Sequence, residues 1–283
     1  MKSKIRFNLY RFQIIPKNRH FQGNLFDDIN TVEDLINKKN EIFFRIIKNL
    51  GQLKIKSRVL KTSIVFQSSD TIVYKFAPKK HIIVETKDFK DEKVEDWPSF
   101  HIMFWNQADK QLLAIEERTK AFQKTTTVNN ILIDYINEKL EEKNLTMFSE
   151  PIFQKKDFWN IIYEYKTKIL DIKFDLITPN MSNIAHVLSE DLKNLAKDTN
   201  TQKTSLHLFA NKNTTLDIDE SNSYVDDVAS YASQGGGNIS IKIKGIKRRK
   251  HTADSIETLE IDDVELNNNE SVEAFKHLFN AII

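Results

Sequence analysis

Residues 4–15 alternate in side-chain character, with Ile5, Phe7 and Leu9 on one strand face and Tyr10, Phe12 and Ile14 on the other. That switch predicts a first strand with a bulge or with burial on both sides, ended by Pro16. A helical period follows. Thr31 stands as an N-cap with Asp34 three residues on, and Leu35, Ile36, Ile42, Phe43, Ile46 and Ile47 form a stripe that ends near Gly51. Period two returns in short runs at 59–66, 71–76, 81–85, 100–105 and 111–116, which predict a meander. Between them, 87–96 alternates in charge sign and is expected to be an exposed loop. Thr127 is expected to cap a second helix that carries Val128, Ile131, Leu132, Tyr135, Ile136 and Leu140.

The polar end of that helix and Pro151 predict a boundary at 144–151, dividing the chain into an N-terminal lobe, 1–147, and a C-terminal lobe, 148–283. No flexible linker separates them. The second half reads as a short helical or extended segment at 158–165 and a strand at 169–177 stopped by Pro179. A helix with Ile184, Val187, Leu188, Leu192 and Leu195 comes next, then a strand at 205–209 and a helix at about 221–233. A strand at 256–264 and a terminal helix carrying Val272, Phe275, Leu278, Phe279 and Ile282 complete the pattern. Short strands interleaved with isolated helices predict an α+β fold: two lobes with largely antiparallel mixed sheets flanked by helices.

One stretch carries a pattern of another kind. Gly235, Gly236 and Gly237 are followed by Ile239, Ile241 and Ile243 in alternation with Ser240, Lys242 and Lys244, then by Lys247, Arg248, Arg249 and Lys250. The glycines lack the Lys-Ser or Lys-Thr pair of a nucleotide loop and precede a strand, so they read as a helix C-cap and hairpin entry. No acidic residue occurs between Ile239 and Ala253, which leaves six cations without a counter-charge nearby in sequence. The chain as a whole is nearly neutral, with 42 Lys and Arg against 40 Asp and Glu. Any polyanion surface is therefore local, and Lys242, Lys244, Lys247, Arg248, Arg249 and Lys250 are the candidate nucleic-acid-binding residues, acting on phosphates.

Composition narrows the classes further. At 40% hydrophobic and 29% charged the chain reads as globular, and the absence of cysteine excludes disulfides, thiolate metal sites and cysteine nucleophiles within it. No apolar run approaches the ~20 residues of a membrane helix. The first residues alternate where a signal peptide would have an apolar core, so a cytoplasmic protein is expected, without direct membrane insertion. The seven histidines show no zinc spacing, and neither a metal site nor a cofactor is expected. The candidate chemistry is limited to Asp70, Glu85 and Lys87, where two carboxylates and a lysine on strand ends would suit a metal-dependent nuclease. No catalytic residue is expected otherwise.

At Trp97-Pro98-Ser99-Phe100, and again at Phe122-Gln123-Lys124-Thr125-Thr126 opening a helix, the chain resembles the RexA-type exclusion proteins of temperate phages. The strand-helix-strand order across 169–209, with a proline after the first strand, is similar to the second half of that family. Related arrangements occur in uncharacterised prophage and anti-phage defence proteins. The resemblance implies a cytosolic, two-lobed DNA-binding protein, a possible homodimer, acting in phage exclusion with a membrane partner. The spacing between Phe100 and Phe122 is longer here, and no functional residue is carried over. The expectation is a non-enzymatic protein that contacts the backbone of DNA, possibly RNA, in phage exclusion or anti-phage defence. The alternatives are a metal-dependent nuclease of a defence system and a protein-interaction subunit of a defence complex, whose basic loop docks an acidic partner protein.

Overall fold

Strand β1 (Lys4–Pro16) runs through the middle of an antiparallel sheet and is buried without interruption from Leu9 to Pro16. The computed structural model describes residues 4–18, 29–51, 53–55, 58–177, 199, 201–262 and 266–281. One edge of β1 pairs with β8 (Gln111–Glu116), and the other pairs first with β14 (Thr258–Asp262) and then with β9 (Leu145–Pro151). The sheet continues outward through β7 (Phe100–Asn106), β4 (Thr71–Pro78), β3 (Arg58–Gln67) and β2 (Leu53–Ile55). No register shift interrupts β1, so its change of face reflects burial on both sides and not a bulge.

The two faces of this sheet hold separate cores. Tyr10, Phe12 and Ile14 join Ile72, Tyr74, Phe76, Phe100, Ile102 and Phe104 beneath helices α1 (Val32–Lys48) and α2 (Thr125–Leu140). Phe7 and Leu9 lie on the opposite face with Met103, Trp105, Leu112 and Ala114, covered by helix α5 (Asn269–Asn280) through Val272, Phe275 and Phe279. The Thr31 cap forms as its sequence predicts: Thr31 Oγ1 accepts from Asp34 N at 3.1 Å while Asp34 Oδ2 accepts from Thr31 N at 3.0 Å. Helix α2 differs. It starts at Thr125, two residues before the expected cap, and its N-cap is Lys124, whose ammonium offers no acceptor to the first turn, while Thr125 Oγ1 is held by Asn8 and Tyr10.

A second sheet, in the order β11 (Lys203–Phe209), β10 (Ile169–Ile177), β12 (Gly237–Ile243) and β13 (Lys250–His251), is antiparallel throughout. Its apolar face, Ile172, Phe174, Leu176, Ile239, Ile241 and Ile243, packs on α3 (Lys155–Glu164) and α4 (Ser223–Tyr231). The architecture is thus α+β with antiparallel sheets, as the pattern predicts. The helix expected over 182–195 lies outside the described residues. The segment 144–151, expected as a boundary, contains β9, seven residues paired along β1. Residues 258–262 and 269–280, placed by sequence in the second half of the chain, form β14 and α5 on the first sheet. The expected loop at 87–96 includes a strand, β6 (Asp91–Asp96), paired among the described residues only with β5 (Lys80–Glu85). Exposed on both sides, β6 carries no hydrophobic alternation for a period-two reading to detect.

The sheets meet at a polar point near the middle of β1, besides the contacts of Gln202 and Lys203 with Pro16, Lys17 and Phe148 at its end. Past Leu9, the outward face of β1 continues with Arg11, which is only 1% exposed, and then Gln13. Arg11 Nε donates to Gln234 O at 2.5 Å, at the wide turn Ala232–Gly236 that ends α4. Tyr231 from that helix donates to Ile177 O at 2.7 Å, and Phe153 N donates to Ser233 O at 3.0 Å. The glycines make the approach possible. A Cβ on Gly235, whose φ is +82°, would stand 2.4 Å from Arg11 Cβ; one on Gly236 would meet the Tyr231 ring at 2.4 Å; and one on Gly237 would meet Asp175 O at 2.3 Å. Glu150, opposite Arg11 in the β1–β9 register, has its carboxyl pushed up to about 6 by burial, with Lys203 opposing the shift and Asp175 adding to it.

Two outcomes follow from this approach. Gly235→Ala should lower the unfolding free energy by about 2–4 kcal/mol, because strain and overpacking act together. Gly245→Ala, at φ +84° with nothing within 4 Å of the added atom, should cost only about 1 kcal/mol. Denaturant unfolding of the two variants compares them, and equal costs would refute the close approach. A carboxyl raised in the folded state stabilises the fold when protonated, so the contribution of Glu150 is complete below its ordinary value of 4.5 and is lost as pH rises through about 6. Relative to Glu150→Gln, the parent should lose about 1–2 kcal/mol across that window. Parallel pH profiles of the two proteins would contradict this.

Candidate nucleic-acid interface

The basic segment forms a hairpin at one end of the second sheet. Ile239, Ile241 and Ile243 bury one side of β12, and Ser240 and Lys242 occupy the other. Gly245 turns the chain at φ +84°, with Ile246 N donating to Ile243 O at 3.1 Å. The strand then returns as β13, in which Lys250 faces Ile241 and His251 faces Ser240.

The six cations divide into two groups. Lys242 Nζ donates to the carbonyls of Ile246 at 3.3 Å and Lys247 at 3.1 Å, which ties the loop to its own strand. Arg249 Nε donates to Ser240 Oγ at 3.1 Å, and its guanidinium pairs with Asp171 from β10. Lys250 Nζ lies 3.6 Å from Glu164 Oε2 and 4.6 Å from the centre of the Tyr165 ring, both at the end of α3. Counter-charges absent from the local sequence therefore arrive through the fold, from α3 and β10. Lys244, Lys247 and Arg248 are exposed and make no ion pair among the described residues.

Sequence reasoning missed two further cations here. Lys244 N donates to Lys168 O at 2.7 Å, which places the exposed loop carrying Lys166 and Lys168 beside the hairpin. Lys166 is close enough to Asp219 to help hold that carboxyl below its ordinary value, after the larger effect of Ser221. The signal lay in the sequence as Lys166-Thr-Lys168 directly before a strand, but only the antiparallel pairing of β10 with β12 brings its start to the end of β12. The resulting surface is a set of flexible ammonium groups and one guanidinium around a sheet end. The chemistry of such a set of cations is attraction of anions.

Asp70, Glu85 and Lys87 are arranged differently. The Asp70 carboxylate accepts from Ser68 Oγ at 3.0 Å, Thr71 Oγ1 at 2.7 Å, Trp105 Nε1 at 3.1 Å, Gln107 Nε2 at 2.7 Å and Lys276 Nζ at 3.1 Å. It fastens α5 to the first sheet. Glu85 and Lys87 stand exposed at the far end of β5 and in the turn after it, and neither is a partner of Asp70. Among the described residues, no group of three His, Cys, Asp or Glu side chains is placed to hold a metal ion. Trp105 and Trp159 are buried, and Trp97 is covered by Lys61 Nζ at 4.1 Å from its ring.

The two motifs that carry the sequence resemblance touch each other. Phe100 and Phe122 meet edge to face at 5.5 Å, on the wall of a cavity of about 310 Å³ at the start of α2 that Asn8, Arg118 and Lys124 also line. No family model matches the chain, and no curated protein matches it in sequence.

Burial pushes the Asp70 carboxyl upward, but hydrogen bonds from Thr71, Lys276 and Gln107 prevail and hold it at about 2. A depressed carboxyl stabilises the fold above its unfolded value, and that contribution is lost as pH falls from 3.8 towards 2. Asp70→Asn should therefore destabilise the protein by about 1–3 kcal/mol at neutral pH, with less difference from the parent near pH 2. Thermal unfolding measures both. An Asp70→Asn protein as stable as the parent at pH 7 would show that the Lys276 contact does not hold α5.

Proposed function

We propose that the protein binds nucleic acid through its phosphate backbone and serves in phage exclusion or anti-phage defence, the role implied by the resemblance of its short motifs to the RexA-type proteins. The observation that carries the reading is the division of the basic hairpin. Lys242, Arg249 and Lys250 are consumed in holding its shape, while Lys244, Lys247 and Arg248 project from it without ion pairs among the described residues. Adjacent like charges on a shaped turn repel one another, and a polyanion relieves that repulsion. Lysines at a strand end also deter edge pairing, but that role does not call for Lys247 and Arg248 beyond the turn. Such a surface reads backbone charge and not base sequence. Duplex DNA is the preferred ligand of this reading.

The test is a binding titration over a range of salt concentrations with duplex and single-stranded DNA and with RNA. Replacing Lys244, Lys247 and Arg248 together by alanine should weaken duplex binding and flatten the slope of log K against log salt by roughly 2–3, at about 0.9 for each phosphate that the variant no longer neutralises. The three positions are exposed, so stability should change little. An unchanged slope would remove the hairpin from any nucleic-acid site. Binding of an acidic protein with no affinity for DNA would replace the reading by the docking of a protein partner.

A further inference from the structure

Among the described residues, the hairpin of β5 and β6 exposes several large apolar side chains together. Ile82, Val84 and Val94 share one face, Ile83 is 73% exposed on the other, and Phe89 at the tip is 87% exposed. The arm is well rooted. Lys80 Nζ donates to Lys120 O at 2.6 Å, Lys79 Nζ pairs with Glu95 at 2.6 Å, and Trp97 Nε1 donates to the same carboxylate at 2.6 Å. Beyond that root, β5 and β6 pair only with each other among the described residues, and a two-stranded sheet with both faces in water is of marginal stability.

The two open edges differ in charge. β6 reads Asp-Glu-Lys-Val-Glu-Asp, four carboxylates against one lysine, so two copies of it repel. β5 reads Lys-His-Ile-Ile-Val-Glu, balanced in charge and apolar at its centre. Antiparallel pairing of two β5 strands about a two-fold axis at Ile83 sets Ile83 opposite Ile83 of the second copy. The same register sets Ile82 opposite Val84, and His81 opposite Glu85. Each cross-strand pair is then apolar with apolar or base with acid, the combinations that stabilise a sheet. Four strands in the order β6-β5-β5-β6 gather Ile82, Val84 and Val94 of both copies on one face.

We propose that β5 is a self-association edge, through which a second copy of this chain completes a four-stranded antiparallel sheet. The acidic outer strands end that sheet at two copies. Phe89 projects at the tip of the arm, in a left-handed turn with φ +56°.

Sedimentation of the parent chain up to ~100 µM should reveal a monomer–dimer equilibrium, as expected of an interface of limited area. Ile83→Lys, which sets two lysines against each other at the axis, should weaken association by at least about tenfold. Because the chain has no cysteine, Ile83→Cys supplies an independent readout. It should form a disulfide-linked dimer on mild oxidation, whereas Ile36→Cys, at an exposed site on α1, should not. A parent that stays monomeric over the whole range, as it would if the edge served an extended segment of another protein, overturns the proposal. So does a dimer that persists in Ile83→Lys, because association would then use a different surface.

Discussion

A buried guanidinium holds this protein's two sheets together. Arg11 sits at the centre of β1, between a strand that belongs to the first sheet and a glycine turn that belongs to the second, and its Nε bond to Gln234 O joins them. Burial lowers its pKa to about 10, so it remains a cation at neutral pH. Burying such a charge is costly, the more so because Arg11 Nη1 is buried without a hydrogen-bond partner, and three consecutive glycines are what allow the backbone to come this close. The position of β12 and of the basic hairpin it leads into depends on that approach, whereas β14 and α5 are held by β1 and by Asp70.

The same polar layer separates the hydrophobic cores. Phe7 and Leu9 lie in the apolar core under α5, but two residues further along the same strand face Arg11 and Gln13 meet Tyr231 and the turn that follows it. An all-apolar interface could slide, whereas a guanidinium and a set of carbonyls define one position. Charge is used in a similar way at Asp70, where five donors converge to fasten α5, and at Arg249, which locks the hairpin to β10. In a chain with nearly equal numbers of acids and bases, many charges are spent on structure. At the basic hairpin, the cations not used in this way are Lys244, Lys247 and Arg248.

The alternation of β1, the capping box at Thr31 and the isoleucines of β12 were legible in the sequence, because each is a short-range pattern with a direct physical cause. β6 was not, since a strand exposed on both faces has no apolar period, and β9 was obscured by Phe148 on its outer face and Ser149 on its buried one, which break the alternation. The basic stretch was visible as a charge run, but its division was not. Asp171 and Glu164 lie some eighty residues from Arg249 and Lys250 in the chain, and only the pairing of β10 with β12 brings them together. The glycine triplet does stand between a helix end and a strand, as its sequence suggests, yet its reason, the passage of Arg11 beneath it, is a contact between residues 224 positions apart. Non-local contacts of this kind leave no periodic trace.

If Arg11 joins the sheets into one unit, their opening must be shared. Native-state hydrogen exchange of the whole chain measures this strand by strand. Amides of β10 and β12 should open with the same free energy as those of β1, to within about 1 kcal/mol. Exchange of β10 and β12 through a separate, lower-energy opening, with β1 still protected, would contradict the role given to Arg11.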